Sequence, residues 1–360
     1  MKIDIIAGAR PNFMKIAPII EELKKVSDKI QYRLIHTGQH YDKKMSGSFF
    51  EELGIPDPDV NLEVGSGTQA EQTARIMERY EALLLKEMAD YCLVVGDVTS
   101  TMACSIAAKK LGVTVIHVEG GIRSNDITMP EEINRMVTDA ITDIFYTTSE
   151  VANENLRALG HAENKIRYVG NTMIDTLLKN MPRLKQPKVW SQLGLNNKGY
   201  FVMTLHRPAN VDEEAKLKEL IDEIVKGANN MPIVFPVHPR TAKILKQIGI
   251  EASNLHMIEP LGYLEFNYLV KHAFAVVTDS GGITEETTVM KVPCMTLRDN
   301  TERPETITIG TNELVGTDPK NVAPYMKKLH AGDWKVGETP HLWDGNTASR
   351  IVKDLLTLTN

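Results

Sequence analysis

Apolar residues fall into short runs separated by longer amphipathic stretches. The runs at 3–8, 32–37, 91–97, 113–119, 143–149 and 166–170 read as strands. Short continuous apolar segments that end in Gly, Asp, Glu or His suit strands buried on both faces. The stretches 12–26, 43–53, 69–88, 99–111, 131–142 and 150–159 read as helices; in 12–26 the apolar face is Phe13, Ile16, Ala17 and Ile20. A polar connection with two prolines, 181–199, follows and reads as an exposed linker near a domain boundary. The alternation then restarts, with strands expected at 200–206, 232–237, 255–259, 274–279, 292–297 and 312–315. Helices are expected at 213–228, 240–248, 262–272, 282–290 and 319–329, with a last one at 346–358. Such alternation predicts an α/β protein with parallel sheets covered by helices on both faces. We expect two Rossmann-like doubly wound domains, 1–171 and 172–345, facing a central cleft, with the C-terminal segment 346–360 packing back on the first.

Composition narrows the picture. The 360 residues fit roughly two domains at ~150 residues each. Against 41 Lys and Arg stand 47 Asp and Glu, a net charge of −6, which argues against a nucleic-acid partner. Cys92, Cys104 and Cys294 each sit in an apolar run and read as core thiols of a reducing compartment. No apolar run approaches the ~18–20 residues that would span a bilayer, and Asp4 interrupts the first one, so neither a signal peptide nor a membrane partner is expected. Cytoplasmic location is the expectation.

In open α/β sheets, ligands bind beyond the carboxyl ends of the strands. Those positions read Gly8-Ala9-Arg10-Pro11, His36-Thr37-Gly38-Gln39-His40, Gly96-Asp97 and Glu119-Gly120-Gly121 in the first half. In the second half they read His206-Arg207, His238-Pro239-Arg240, Asp279-Ser280-Gly281-Gly282 and Arg298-Asp299. Ser280, Gly281 and Gly282 form a glycine turn opening a helix, where free N–H groups and the helix dipole favour a phosphate; a tight βα turn with a serine cap is the alternative. Arg10 and Lys15, near the start of one helix, suit an anion. A carboxylate beside a diphosphate would be repelled, so Glu285 or Glu286 suits ribose hydroxyls instead. Asp97, Glu119 and Glu131 are candidate acids and bases. Asp97 could instead cap the helix that follows, and Glu131 could join a capping box or pair with Arg135 four residues on. Glu119, closing an apolar strand before two glycines, has no such structural task. Neither a Gly-x-Gly-x-x-Gly nor a Gly-x-x-x-x-Gly-Lys-Ser/Thr motif is present, nor His-Glu-x-x-His, Cys-x-x-Cys or Gly-x-Ser-x-Gly. No cofactor and no metal are expected.

These residues resemble the non-hydrolysing UDP-N-acetylglucosamine 2-epimerases along nearly the whole chain. The resemblance rests on Gly8-Ala9-Arg10-Pro11, Gly38-Gln39-His40, Gly96-Asp97, His117-Val118-Glu119-Gly120-Gly121-Ile122-Arg123 and Pro130-Glu131-Glu132-Ile133-Asn134-Arg135. It continues through Gly170-Asn171-Thr172, His206-Arg207, Pro236-Val237-His238, Asp279-Ser280-Gly281-Gly282-Ile283 and Thr301-Glu302-Arg303-Pro304-Glu305. It implies a glycosyltransferase-B-like fold, a homodimer, and reversible inversion at C2 of UDP-N-acetylglucosamine through elimination and re-addition of UDP. It also implies Asp97, Glu119, Glu131 and His206 as catalytic residues. Arg10, Lys15, Arg135, His238, Phe266, Ser280, Gly281, Gly282, Glu286 and Arg303 would bind the substrate. Ala9 and Asn12 depart from the Thr and Glu of many members. Tyr41-Asp42 stands where members with a second, regulatory site tend to carry Arg-Glu, so that site is not expected. The alternatives are a 2-epimerase of another UDP-2-acetamido sugar, a hydrolysing epimerase, a UDP-sugar glycosyltransferase, and a nucleotide-sugar sensor without turnover.

Overall fold

The structure is a computed structural model that describes residues 1–38, 52–237 and 239–359. The helix expected at 43–53 falls almost wholly outside them. The chain divides into two compact units, Met1–Lys179 with His341–Asn360, and Asn180–Pro340.

The first unit holds a seven-stranded sheet of β1 (Lys2–Ala7), β2 (Gln31–His36), β3 (Val60–Asn61), β4 (Tyr91–Val95), β5 (Thr114–Val118), β6 (Ile144–Thr147) and β7 (Ile166–Tyr168). Its order is β3-β2-β1-β4-β5-β6-β7, with every described pair parallel. The reversal between β1 and β4 is the switch point of a doubly wound sheet. Helix Gln69–Lys86 shows how the pattern becomes structure. Thr68 Oγ1 accepts from Glu71 N at 3.2 Å and Glu71 Oε2 accepts from Thr68 N at 2.8 Å, closing a capping box. Ile76, Tyr80 and Leu84, spaced four apart, are its buried residues. Asp4, the polar break in the first apolar run, is fully buried and bidentate to Arg33, with both bonds at 2.8 Å and Tyr80 Oη at 3.1 Å.

The second unit holds β8 (Phe201–Thr204), β9 (Ile233–Pro236), β10 (Leu255–Ile258), β11 (Ala275–Thr278), β12 (Cys294–Thr296) and β13 (Asn312–Leu314) in the order β10-β9-β8-β11-β12-β13. All its described pairs are parallel too. Alternation along β8 sends Phe201 and Met203 to one core cluster and Val202 to the other, so both faces are buried.

Two expectations need correction. The first unit runs on through helix Thr172–Asn180 to Lys179, so it does not end at 171. That helix belongs there because Thr176 Oγ1 donates to Met14 O at 2.6 Å. Asp175 accepts from the N–H groups of Thr347 and Ala348 at 3.1 and 2.7 Å, which caps helix Thr347–Thr357 in trans and fixes the C-terminal segment to the first unit. Nor is 181–199 simply an exposed linker. It contains helix Lys188–Gln192, and Val189 and Leu195 are buried in the second unit's core with Trp190 packed against them. Four apolar side chains spaced among the polar ones, Val189, Trp190, Leu193 and Leu195, dock it there. The three cysteines are free and buried. Among the described residues no helix is long and apolar enough to cross a membrane.

Candidate active site

In the first unit, the turns after β1, β4 and β5 carry the candidate groups. Helix Arg10–Lys24 begins with Arg10 and has Pro11 in its first turn. Asn12, buried, accepts from Gly8 N at 3.2 Å and Ala9 N at 3.0 Å and donates to Val95 O at 3.0 Å, tying the β1 turn to the end of β4. One turn later Lys15 Nζ meets Glu119 Oε2 at 2.6 Å. Glu119 is buried and its backbone is left-handed, at φ 70°. A non-glycine residue there costs free energy, and such strain concentrates at functional sites. A side-chain carbon on Gly96 would lie 3.1 Å from Lys15 Nζ, so glycine makes room for that pair.

Asp97 does not cap the next helix; Val98 occupies the cap position with no side-chain bond. Instead Asp97 Oδ2 accepts from Arg135 Nε at 3.0 Å and Nη2 at 2.5 Å. Arg135 also donates through Nη1 to Glu132 Oε2 at 2.6 Å. Glu132, not Glu131, is thus its helical partner, and the pairing of Glu131 with Arg135 does not form. Glu132 also accepts from the N–H groups of Ser124 and Asn125, each at 3.0 Å. That leaves the side chain of Glu131, partly exposed at the start of helix Pro130–Ile141, with no hydrogen bond or ion pair among the described residues.

His117 and Asp139 are buried behind these acids, with their ring Nδ1 and Oδ1 2.7 Å apart. Neither was a sequence-predicted site residue. His117 lay in plain view inside the motif around Glu119, whereas no signal near Asp139 linked it to that strand. Gly120 and Gly121 serve packing: an added carbon would stand 2.7 Å from the Phe145 ring and 2.4 Å from Ala152 O.

In the second unit, Asp279 is fully buried at the end of β11 and organises the His206 turn. It accepts from His206 N at 3.0 Å, Arg207 N at 2.8 Å and Asn210 Nδ2 at 3.1 Å, and faces His206 Nδ1 at 2.7 Å. Burial pushes its carboxyl up, but the bonds and charge of His206 and the Arg207 amide outweigh that and hold it below the usual aspartate value. An anionic Asp279 makes Nδ1 of His206 the donor and leaves Nε2 outward on a side chain 59% exposed.

Ser280 precedes helix Gly281–Met290 without a side-chain cap, so its hydroxyl and the first-turn N–H groups of Gly281 and Gly282 stand available to an anion. A side-chain carbon on Gly281 would fall 2.6 Å from Glu302 Oε1. Glu285 is buried against Arg303 Nε, so Arg303 is committed within this unit. Glu286 accepts at Oε1 from Tyr263 Oη at 2.9 Å and Asn267 Nδ2 at 3.3 Å. Burial drives its carboxyl up to about 7; those two bonds act against the rise and the charge of Glu285 adds to it. Phe266, on the same helix as Tyr263 and Asn267, is partly buried against the core. His238 lies outside the described residues.

Residues 21–356 match the family model described as UDP-N-acetylglucosamine 2-epimerase. The chain is 43% identical over 367 residues to the UDP-N-acetylglucosamine 2-epimerase of Methanocaldococcus jannaschii, covering 99% of each. It is 39% identical over 320 residues to the UDP-2,3-diacetamido-2,3-dideoxy-D-glucuronate 2-epimerase of Pseudomonas aeruginosa, covering 88% of each. The crystal structure of the Methanocaldococcus jannaschii UDP-GlcNAc 2-epimerase in complex with UDP-GlcNAc and UDP superposes with a TM-score of 0.88 at 41% identity, covering 99% of this chain and 100% of that one. The fold is thus of the glycosyltransferase-B-like α/β class. The chain belongs to the UDP-N-acetylglucosamine 2-epimerase family, a family of isomerases.

Proposed function

We propose that the chain interconverts UDP-N-acetylglucosamine and UDP-N-acetylmannosamine. The single observation that carries this reading is Glu119: a buried carboxylate, held in a left-handed backbone, facing Lys15 at 2.6 Å. The C2 proton is not next to a carbonyl, so its direct removal is too costly. In the proposed elimination the C1–O bond breaks with its electron pair leaving on UDP, while C2 gives its proton to a base. This yields UDP and a 2-acetamidoglucal. UDP then adds back to C1 as a proton reaches C2 from the opposite face. Asp97, Glu119 and Glu131 supply the proton acceptors and donors. Arg10, Lys15, Arg135 and His206 offset the charge developing on the leaving diphosphate. In the second unit, Ser280 and Gly281 hold phosphate oxygens, Glu286 accepts from the ribose hydroxyls and Phe266 packs near the uracil.

The experiment is incubation with UDP-N-acetylglucosamine in D2O, followed by proton NMR. Loss of the C2 proton signal together with appearance of UDP-N-acetylmannosamine, without free UDP accumulating, is the expected result. Free UDP formed at the rate of sugar conversion would establish a hydrolase instead. The likeness to the Pseudomonas aeruginosa enzyme supports a second reading, in which the same chemistry acts on another UDP-2-acetamido sugar. Faster exchange at C2 of UDP-2,3-diacetamido-2,3-dideoxy-D-glucuronate than of UDP-N-acetylglucosamine would favour it.

A further inference from the structure

The ring of His117 is buried with an acceptor on each side. Nε2 lies 2.8 Å from the carbonyl oxygen of Gly96. A carbonyl only accepts, so this nitrogen carries a proton. Nδ1 lies 2.7 Å from Asp139 Oδ1. The other Asp139 oxygen accepts from Gly121 N at 3.0 Å and pairs with Arg123 Nη1 at 2.6 Å. A guanidinium and an amide on one carboxyl favour its anionic form. Burial pushes the Asp139 carboxyl up, yet the bond and charge of His117, then the charge of Arg123, outweigh it and keep the group below the usual aspartate value. The ring is therefore held from both sides, by Gly96 O at Nε2 and by the Asp139 carboxyl at Nδ1.

The backbone groups that this unit grips flank the two acids. Gly96 immediately precedes Asp97. Gly121 follows Glu119 by two positions, and Arg123 Nη1 also donates to Ile122 O at 2.7 Å. We propose that His117 is a positioning residue: a buried ring whose two nitrogens join the turn carrying Asp97, directly at Gly96, to the turn carrying Glu119, through Asp139 and Gly121, and so set the placement of the two carboxylates. This rests on the acid–base roles proposed above. It makes no contact with substrate and predicts a loss in kcat, not in nucleotide binding.

Two variants separate the two bonds. In His117→Gln the amide nitrogen overlays Nε2 and keeps the donor to Gly96; in His117→Asn it overlays Nδ1 and keeps the donor to Asp139. Both should lose about a hundredfold in kcat with KM and UDP binding unchanged, since small misplacement of reacting groups is that costly. Wild-type kcat in both variants overturns the proposal. Circular dichroism and UDP affinity at wild-type values in both variants, beside the loss in kcat, are the expected result; a loss of UDP binding in step with kcat would overturn the proposal by showing a general structural role. Wild-type protein that exchanges no C2 proton on any UDP-2-acetamido sugar would overturn the reading of function and the proposed role with it, whereas wild-type turnover retained in both variants overturns the role alone.

Discussion

Lys15 Nζ and Glu119 Oε2 stand 2.6 Å apart, with 13% and 2% of their side chains exposed, at the turn after β5. Glu119→Gln should remove the proton acceptor while keeping the shape. Turnover should fall by at least about 10²-fold, with UDP binding retained in calorimetry. Wild-type turnover would exclude Glu119 from the chemistry. Lys15→Ala removes the cation facing this buried carboxylate and should cost about 3 kcal/mol in denaturant unfolding. A loss of activity without a loss of stability would assign Lys15 to substrate alone.

Asp279 holds His206 by its ring and by its backbone N–H. Asp279→Asn should lower kcat on the order of 10²-fold, because the amide no longer fixes the donor on Nδ1. The informative measurement is the pH–rate profile of the variant against wild type. An unchanged profile with unchanged kcat would show that the orientation of His206 is immaterial.

Glu286 is expected to face the ribose with the oxygen not used by Tyr263 and Asn267. UDP should bind more tightly than 2′-deoxy-UDP, since a carboxylate left without its hydroxyl partner in a buried site is costly. Glu286→Gln should narrow that preference. Equal preference in both proteins would place the ribose elsewhere.

Burial pushes both Glu286 and Glu305 up to about 7 from an ordinary 4.5; Arg303 opposes the rise at Glu305, while Glu285 and Glu302 add to it. Between those values the unfolded chain releases protons that the folded protein keeps. The contribution is full below about 4.5 and is lost as pH rises toward about 7, at up to about 1.4 kcal/mol per pH unit for each group. Glu286→Gln and Glu305→Gln should each flatten the stability curve in that window and leave the most acidic end unchanged. Identical slopes in urea titrations across the window would refute this.

Trp343 is buried, donates through Nε1 to Thr148 O at 2.9 Å, and lies just before the helix that Asp175 caps. Asp175→Ala should cost about 1–2 kcal/mol and Trp343→Ala about 3–5 kcal/mol. Chemical denaturation would measure both. Native-like stability of the Trp343 variant would mean that the C-terminal segment contributes nothing to the first unit.

The sequence by itself determined the two runs of alternating strand and helix, their parallel sheets and the strand ends where chemistry collects. These follow from local periodicity and from which residue types close each apolar run. It also placed Asp97, Glu119, His206 and the Ser280-Gly281-Gly282 turn at those ends. Only the tertiary structure decided partners. Arg135 could reach Glu131 or Glu132 by helical spacing alone, and the position of Asp97 across the sheet edge settles the choice. Asp139 stands 22 residues from His117, so nothing local announces their bond. The same holds for Asp175 and the helix it caps 172 residues later. Spacing along the chain fixes which face a side chain occupies; which charge meets which depends on strand order and burial, where a group without a partner is too costly to keep.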